Sequence, residues 1–155
     1  MQVDKKYTTV TYKQTQNIGE NFAKEIRQQA DKIPSQKAAI VLILHGNLGG
    51  GKTTFLQGFA KGLGVKEKIL SPTFVIQKRF NIKDLRFKNF YHIDCYRLKN
   101  EKDILELDFK NIILNPENII AIEWPEKIKN ALPKKLRKVN FKFVDKKTRE
   151  IIFKM

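Results

Sequence analysis

The chain has 155 residues, is 41% hydrophobic and 10% aromatic, and has a formal net charge of +15. This length and composition predict one globular domain over residues 1–155 and exclude a disordered chain. Cys95 is the one cysteine, which excludes an internal disulfide framework. The N-terminus lacks an apolar signal segment, and the longest apolar run, 38–44, is too short for a membrane span. We therefore expect a cytoplasmic enzyme or binding module.

The positive charge is concentrated towards the C-terminus. From Lys127 onward, eleven Lys or Arg residues stand against Asp145 and Glu150, which gives this segment a formal charge of +9. Clustered charge of this size attracts polyanions such as RNA. A solvated face of a lysine-rich protein explains the same pattern, and the sequence contains no recognisable RNA-binding module. Both interpretations remain open.

Residue periodicity predicts strands and helices that alternate in the centre of the chain. Helices are expected over 14–30, with Thr15 as a candidate N-cap, over 52–62, and over 100–109 with Asn100 as its cap. Strands are expected at 6–13, 39–44, 71–80 after an initial turn, 87–98 and 117–126, with two more in 136–155 around a turn at 145–148. The run at 39–44 is wholly apolar, as in a strand buried on both faces. The order predicts an α/β sandwich with a mixed, partly parallel central sheet.

Residues 46–53 match the phosphate-binding pattern GxxxxGK[ST] between a predicted strand and a predicted helix. Glycines allow consecutive backbone N–H groups to face an anion, and the helix N-terminus adds partial positive charge. Lys52 would reach the β- and γ-phosphates, Thr53 would ligate Mg²⁺, and Thr54 could bind the α-phosphate. A glycine-rich turn without a ligand is the alternative. The predicted nucleotide contacts are Gly46, Asn47, Leu48, Gly49, Gly50, Gly51, Lys52, Thr53 and Thr54.

ATP is favoured over GTP. The segment 81–84, Asn-Ile-Lys-Asp, contains the letters of the guanine-specifying NKxD pattern in the wrong order. Two acids follow apolar runs and are candidates for holding a metal: Glu123 after 119–122, and Asp94 in the predicted strand 87–98. His92 is more simply explained as a hydrogen-bonded strand residue than as a base, and Cys95 as a small buried residue.

Four segments together carry a family resemblance. In order they are HGNLGGGKTTFLQGFAKGLG, SPTFVI, YHIDCYRL and IIAIEWPE. This arrangement resembles the TsaE family, also called YjeE, the ATPase subunit of bacterial threonylcarbamoyladenosine-tRNA synthesis, and the resemblance extends from about residue 15 to residue 124. It implies a P-loop NTPase-like fold, Mg²⁺-dependent binding of ATP and ADP, and weak hydrolysis by the subunit alone.

The resemblance also implies partners and a role. The partners would be a sugar-kinase-like threonylcarbamoyl transferase and its paralogous partner, with tRNA contacted indirectly or weakly through the complex. The transferase modifies the adenosine next to the anticodon in tRNAs that read codons starting with A. Hydrolysis by the ATPase subunit would reset the complex between turnovers.

Matching positions assign individual roles by the same resemblance. Thr53 and Glu123 correspond to the metal-associated pair, and Asp94 to a catalytic or metal-linked carboxylate. Thr73 corresponds to a residue that senses the γ-phosphate, and Thr15 to a threonine that contacts the nucleotide. Trp124 is expected near the nucleotide, and Arg149 matches a turn arginine loosely. Asn47 replaces the usual Asp, which keeps the size, removes the charge and leaves open any metal-water or switch role there. Gly50 replaces a common Ala.

Two other functions compete with the ATPase subunit. A small-molecule kinase would use the same loop, but it usually needs an Arg-rich lid over the phosphates, and Arg is scarce here. A nucleotide-sensing adaptor that does not hydrolyse ATP and docks its basic tail on RNA is the third hypothesis.

Overall fold

The computed structural model describes residues 3–70 and 75–154. The strands are β1 Lys5–Thr9, β2 Ile40–His45, β3 Gln77–Asn81, β4 Asn89–Asp94, β5 Asn118–Glu123, β6 Arg137–Phe143 and β7 Arg149–Lys154. The helices are α1 Tyr12–Asp31, α2 Lys52–Gly62, α3 Glu101–Leu105 and α4 Phe109–Leu114, followed by a 3-10 helix, Pro125–Ala131. Between residues 3 and 70 and between 75 and 154, no helix is long and apolar enough to cross a membrane.

The seven strands form one mixed sheet in the order β1-β7-β6-β2-β5-β4-β3. The four central strands, β6, β2, β5 and β4, are parallel, and the outer pairs are antiparallel. The carboxyl ends of parallel strands meet at one edge of a sheet, where α/β proteins bind ligands. The predicted α/β sandwich with a mixed, partly parallel sheet is confirmed.

Helices cover both faces of the centre of this sheet. One apolar cluster joins α1 and α2 to the sheet and contains the buried side chains of Phe55, Phe59 and Leu63, as the periodicity of α2 predicts. A second cluster joins α3, α4 and the 3-10 helix to β2, β4 and β5. β5 is buried along its whole length because it lies between these two layers.

The first helix begins earlier than predicted. The strand expected over 6–13 ends at Thr9, and Thr11, not Thr15, is the N-cap: its hydroxyl accepts the Gln14 N–H at 3.1 Å. Gln14 in turn accepts the Val10 N–H at 2.8 Å, and this reciprocal capping outweighs the strand propensity of residues 10–13. Thr15 consequently lies in the first turn of α1, where it is buried.

The helix expected over 100–109 is two helices. Asn100 caps α3 as predicted and accepts the Lys102 N–H at 3.0 Å. Asp108 then adopts a left-handed conformation (φ 62°), which turns the chain so that Phe109 begins α4 and is buried in the second cluster. Periodicity alone does not reveal this break, since apolar residues continue through it.

Two other boundaries differ from the prediction. β4 is shorter than 87–98, because the chain turns after Asp94, whose carboxylate accepts the Tyr96 N–H at 2.9 Å. β5 ends before Pro125 as predicted, and the residue at the turn is Trp124. β3 starts at Gln77, and the turn expected before it lies outside the described residues.

Helices α1 and α2 approach so closely that Gly58 has no room for a side chain. A Cβ built at Gly58 would lie 1.8 Å from the Gln16 carbonyl oxygen. We expect Gly58→Ala to lower the free energy of unfolding by about 3 kcal/mol, because separating the helices costs more than the gain of about 1 kcal/mol in helix propensity. Urea unfolding measures the loss. Lys61→Ala, on the exposed side of α2, is the control, and an equally small effect of both changes would contradict the close contact.

Candidate nucleotide site

The phosphate-binding pattern forms the turn between β2 and α2. Gly51, the N-cap of α2, has φ 98°, a conformation that residues with side chains rarely adopt. Gly46 lies against β6, and a Cβ there would be 2.6 Å from the Phe141 carbonyl oxygen. The Gly50 N–H donates to the Asn47 carbonyl at 3.1 Å and closes the turn. The turn therefore presents backbone N–H groups and the N-terminus of an 11-residue helix to the carboxyl edge of the sheet.

Lys52 is a buried cation, 6% exposed. Its Nζ donates to the Gly46 carbonyl at 2.6 Å and lies 4.2 Å from the centre of the Trp124 ring. Burial lowers the pKa of Lys52, and the negative charges of Glu123 and Asp94 oppose this decrease. Among the described residues no carboxylate forms an ion pair with Lys52. A buried ammonium without an ion-pair partner is a binding group for an anion.

Two carboxylates lie side by side at the ends of neighbouring strands. Asp94 on β4 is the register partner of Glu123 on β5, and both side chains line the same cavity as Lys52. Burial raises the pKa of Asp94, and the nearby Glu123 raises it further, whereas the Tyr96 N–H, His92 and Lys52 lower it. Two partly desolvated carboxylates side by side lower the stability of the folded protein. A cation bound between them would offset this loss.

The raised pKa of Asp94 predicts a gain in stability for Asp94→Asn. Below the ordinary value of 3.8 the carboxyl is neutral in both states. As the pH rises, the unfolded chain ionises first, so the folded state loses stability until its own higher pKa is passed. We expect Asp94→Asn, which still accepts the Tyr96 N–H, to raise Tm at pH 7.5 without nucleotide and to change it little near pH 4. A lower Tm of Asp94→Asn than of the wild type at pH 7.5 would show that the Asp94 charge does not destabilise the folded chain.

Glu123 has a partner that the sequence interpretation missed. Its Oε2 lies 2.7 Å from His92 Nε2, and both side chains are almost completely buried. Within the described part of the chain, His92 Nδ1 has no hydrogen-bond partner. The strand alternation correctly placed His92 and Asp94 on one face, but the contact depends on the pairing register of β4 with β5, which puts His92 diagonal to Glu123. His92 fixes the orientation of the Glu123 carboxylate.

Trp124 follows Glu123 in a left-handed conformation, with φ 55° and ψ 50°. This backbone is uncommon for a residue with a large side chain, and it turns the indole over the Lys52 ammonium. The Tyr96 ring packs against the indole at 5.0 Å between ring centres. The chain thus surrounds the ammonium of Lys52 with an aromatic face and a carbonyl oxygen.

Two contacts attach the glycine-rich turn to later parts of the chain. Arg149, at the start of β7, donates from Nε to the Gly49 carbonyl at 2.6 Å. His45, immediately before Gly46, has its Nδ1 2.5 Å from Glu126 Oε1 in the 3-10 helix. Both contacts were missed because they join residues about 80 to 100 positions apart, and no local pattern indicates them.

A cavity of about 820 Å³ unites these parts, a volume within the usual range for small-molecule sites. Of the predicted residues, it is lined by Thr15, Leu48, Gly49, Gly50, Gly51, Lys52, Thr53, Thr54, Asp94, Glu123 and Trp124. The predicted residues Gly46 and Asn47 are not part of its lining: the Gly46 carbonyl accepts from Lys52, and the Asn47 carbonyl accepts from the Gly50 N–H. Thr73 lies outside the described residues. Additional lining comes from Val10, Thr11, Tyr12, Lys146, Lys147 and Arg149, and Thr9, hydrogen-bonded to Thr15 at 2.8 Å, completes the wall.

The oxygen groups at the cavity suit Mg²⁺ that is also held by substrate phosphates and water. They do not form a site that would hold a metal through side chains alone. Thr53, Asp94 and Glu123 provide one hydroxyl and two carboxylates. Within the described ranges no group of three or more His, Cys, Asp or Glu side chains could hold a metal. Mg²⁺ typically takes one or two carboxylates together with substrate phosphates and water, and this donor set matches that requirement.

Comparison with known proteins gives the same family as the sequence motifs. The family model described as Threonylcarbamoyl adenosine biosynthesis protein TsaE matches residues 9–151. The chain belongs to the TsaE family. The matched region runs from the end of β1 into β7, and it contains all the residues that line the cavity.

Individual TsaE relatives support this membership. The Bacillus subtilis protein named tRNA threonylcarbamoyladenosine biosynthesis protein TsaE is 38% identical over 76% of this chain and 70% of its own. The Rickettsia typhi protein of the same name is 33% identical over 92% and 90%. The crystal structure of Bacillus subtilis YdiB superposes with a TM-score of 0.69 at 31% identity, covering 99% of this chain and 86% of YdiB.

Proposed function

We propose that this chain is the Mg²⁺-dependent ATP-binding and ATP-hydrolysing subunit of a tRNA threonylcarbamoyladenosine system. The observation that supports this most directly is the single cavity that contains the glycine-rich turn, the buried Lys52 and the paired Asp94 and Glu123. Relatives named for the biosynthesis of this tRNA modification supply the biological context.

The proposed binding mode follows from the charges of the cavity. The backbone N–H groups of the turn and Lys52 would hold the phosphates of ATP or ADP, with Lys52 leaving the Gly46 carbonyl for a stronger anionic partner. Thr54 would contact the α-phosphate. Thr15, whose Cγ2 would lie 3.6 Å from a Cβ built at Gly51, would contact the nucleotide from α1.

The proposed chemistry uses both acids. Bound Mg²⁺ would neutralise charge on the phosphates, held by Thr53 together with Glu123 or Asp94. His92 holds Glu123 in one orientation by the 2.7 Å hydrogen bond. Asp94, whose pKa is raised by burial, lies beside it at the cavity wall and would orient the water that attacks. Thr73 remains a proposed γ-phosphate sensor.

The partners and the cycle are part of this proposal. The subunit would act with a sugar-kinase-like transferase and its paralogous partner on tRNAs that read codons starting with A, and ATP hydrolysis would reset the complex between turnovers. Trp124 contacts both Lys52 and the half-exposed Tyr96, so a movement of Lys52 towards bound phosphate would alter the packing of Tyr96 at the surface. Such a surface change is one route by which nucleotide state could control partner binding.

A reconstituted modification assay tests the proposal. Unmodified tRNA, the transferase pair and a source of activated threonylcarbamoyl would be combined with this chain or its Lys52→Ala variant, and modified adenosine would be measured over many turnovers. We expect multiple turnovers only with the wild-type chain. Modification that continues equally with the Lys52→Ala variant would refute the proposal, and transfer of labelled phosphate to a small acceptor would instead identify a kinase.

A further inference from the structure

Among the residues that the structure describes, no apolar cluster lies on one face of the sheet end formed by β6, β7 and β1. Val139, Phe141, Ile151 and Phe153 point into the first apolar cluster, so the alternate residues point away from it. We call the resulting surface the outer sheet face. Its residues are Lys138, Asn140 and Lys142 on β6, Glu150, Ile152 and Lys154 on β7, and Lys6 and Thr8 on β1.

Solvent meets the outer part of this face, whereas Lys138, Asn140, Glu150 and Ile152 are half-buried. Among the described residues, the second apolar cluster contains no side chain from β1, β6 or β7. The Lys6 and Lys154 side chains are 60% and 45% exposed, and Lys142 and Thr8 are also exposed. The buried apolar side chains that α3, α4 and the 3-10 helix contact come from the central strands β2, β4 and β5.

The outer sheet face is positively charged. It holds four lysines and one acid, Glu150. Lys6 pairs with Glu150 at 2.5 Å, and Lys154 pairs with Asp4 beside the face at 2.6 Å. Both lysines are exposed, although Glu150 is only 14% exposed, and ion pairs that are open to solvent are weak, so these lysines can exchange their partners for phosphate groups. The exposed Lys146 and Lys147 at the tip of the β6–β7 hairpin continue the positive surface.

The composition of this face favours RNA over a protein partner. Lysine is depleted in protein–protein interfaces, which instead bury aromatic and aliphatic anchors. Ile152 is the one aliphatic side chain on the outer sheet face, and it is already half-buried. Interfaces with nucleic acid are more polar and far more positively charged. The lysines and the exposed Thr8 provide donors to phosphate and ribose groups.

We propose that the outer sheet face binds the phosphate backbone of RNA directly, with no reading of base sequence. The proposal rests on the proposed function only for the kind of RNA, which is a tRNA. The face also adjoins the nucleotide cavity, since the same hairpin contributes Lys146 and Lys147 to the cavity wall and Arg149 binds the Gly49 carbonyl. RNA on this face would therefore lie next to the glycine-rich turn.

Charge reversal tests the proposal on the full chain. The test variant is Lys138→Glu with Lys142→Glu, and the matched control is Lys66→Glu with Lys68→Glu, two exposed lysines after α2. Both double variants change the net charge equally. A difference in RNA affinity between them therefore reports the position of the lysines and not the overall charge of the chain. Binding of a fluorescein-labelled anticodon stem–loop RNA would be followed by anisotropy between about 50 and 200 mM salt. ATP turnover of each variant checks that the nucleotide site is intact.

We expect the test variant to bind RNA at least about tenfold more weakly and to flatten the salt dependence by about two units, one for each lost phosphate contact. The control should stay within about threefold of wild type, and both should keep wild-type ATP turnover. Equal weakening in both doubles would overturn the proposal. So would loss of binding to the transferase pair with unchanged RNA affinity, which would assign the face to a protein. Absence of ATP turnover in all variants would refute the proposed function and leave the RNA result standing.

Discussion

Lys52→Ala is expected to lower ATP affinity about 100-fold and to abolish measurable turnover. The ammonium is buried, its carboxylate neighbours form no ion pair with it, and its 2.6 Å contact with the Gly46 carbonyl is replaceable. A charge-assisted bond to phosphate contributes about 2–3 kcal/mol, and each 1.4 kcal/mol is a tenfold change in affinity. Titration with a fluorescent ATP analogue measures the loss directly.

The matched control is Lys66→Ala, which removes an equal charge from an exposed position outside the cavity. It should bind ATP as the wild type does. Removing Lys52 also removes a cation whose pKa is lowered by burial, so thermal stability without nucleotide should not fall through loss of charge. Wild-type ATP affinity in Lys52→Ala would show that the turn holds no phosphate.

Glu123→Gln and Asp94→Asn are each expected to reduce ATP turnover at least about 100-fold while ATP binding changes by less than about fivefold. Both changes preserve shape and leave the glycine-rich turn and Lys52 in place, so the main phosphate contacts remain. Each removes a charge beside the position expected for Mg²⁺, and lost electrostatic stabilisation of a transition state typically costs 100-fold or more. Steady-state turnover and equilibrium binding, measured across Mg²⁺ concentrations, separate the two effects.

Glu117→Gln is the control for the acids because Glu117 is exposed and precedes the opposite end of β5. It should turn over ATP normally. Unchanged turnover in both acid variants would refute their assignment to the metal. Asp94→Asn has a second signature: the same substitution that reduces turnover should raise Tm, because an acid held ready for a cation destabilises the empty cavity.

Local sequence chemistry predicted the centre of this fold well. The apolar run before Gly46 is typical of a strand buried on both faces, and the apolar spacing of 55, 59 and 63 is typical of a helix that faces a core. These signals are local and repeated, so the bounds of α2 were correct and those of β2 within one residue. The order of these elements was sufficient to predict the mixed, partly parallel sheet.

Errors arose where a single side chain or backbone angle decides the structure. Thr11 starts α1 because Gln14 completes its cap, although the preceding residues favour a strand. Asp108 divides a predicted helix through one left-handed residue. Propensity is averaged over several residues, so it does not detect a helix boundary that a single residue determines.

The candidate site was predictable in its parts but not in its connections. The spacing of Gly46 to Thr53 indicated a phosphate loop, and apolar runs indicated the acids at Asp94 and Glu123. The hydrogen bond from His92 to Glu123 depends on strand register, and the contact of Arg149 with Gly49 depends on how the last hairpin folds back. A local sequence pattern indicates neither the register of paired strands nor the contacts between distant parts of the chain.

ATP turnover by this chain, alone and with the transferase and its paralogous partner from the same organism, tests the central claim most directly. The expected result is slow hydrolysis by the chain alone, strong stimulation by the pair, and no hydrolysis in either condition with Lys52→Ala. Turnover that the pair leaves unchanged would contradict a partner-controlled ATPase.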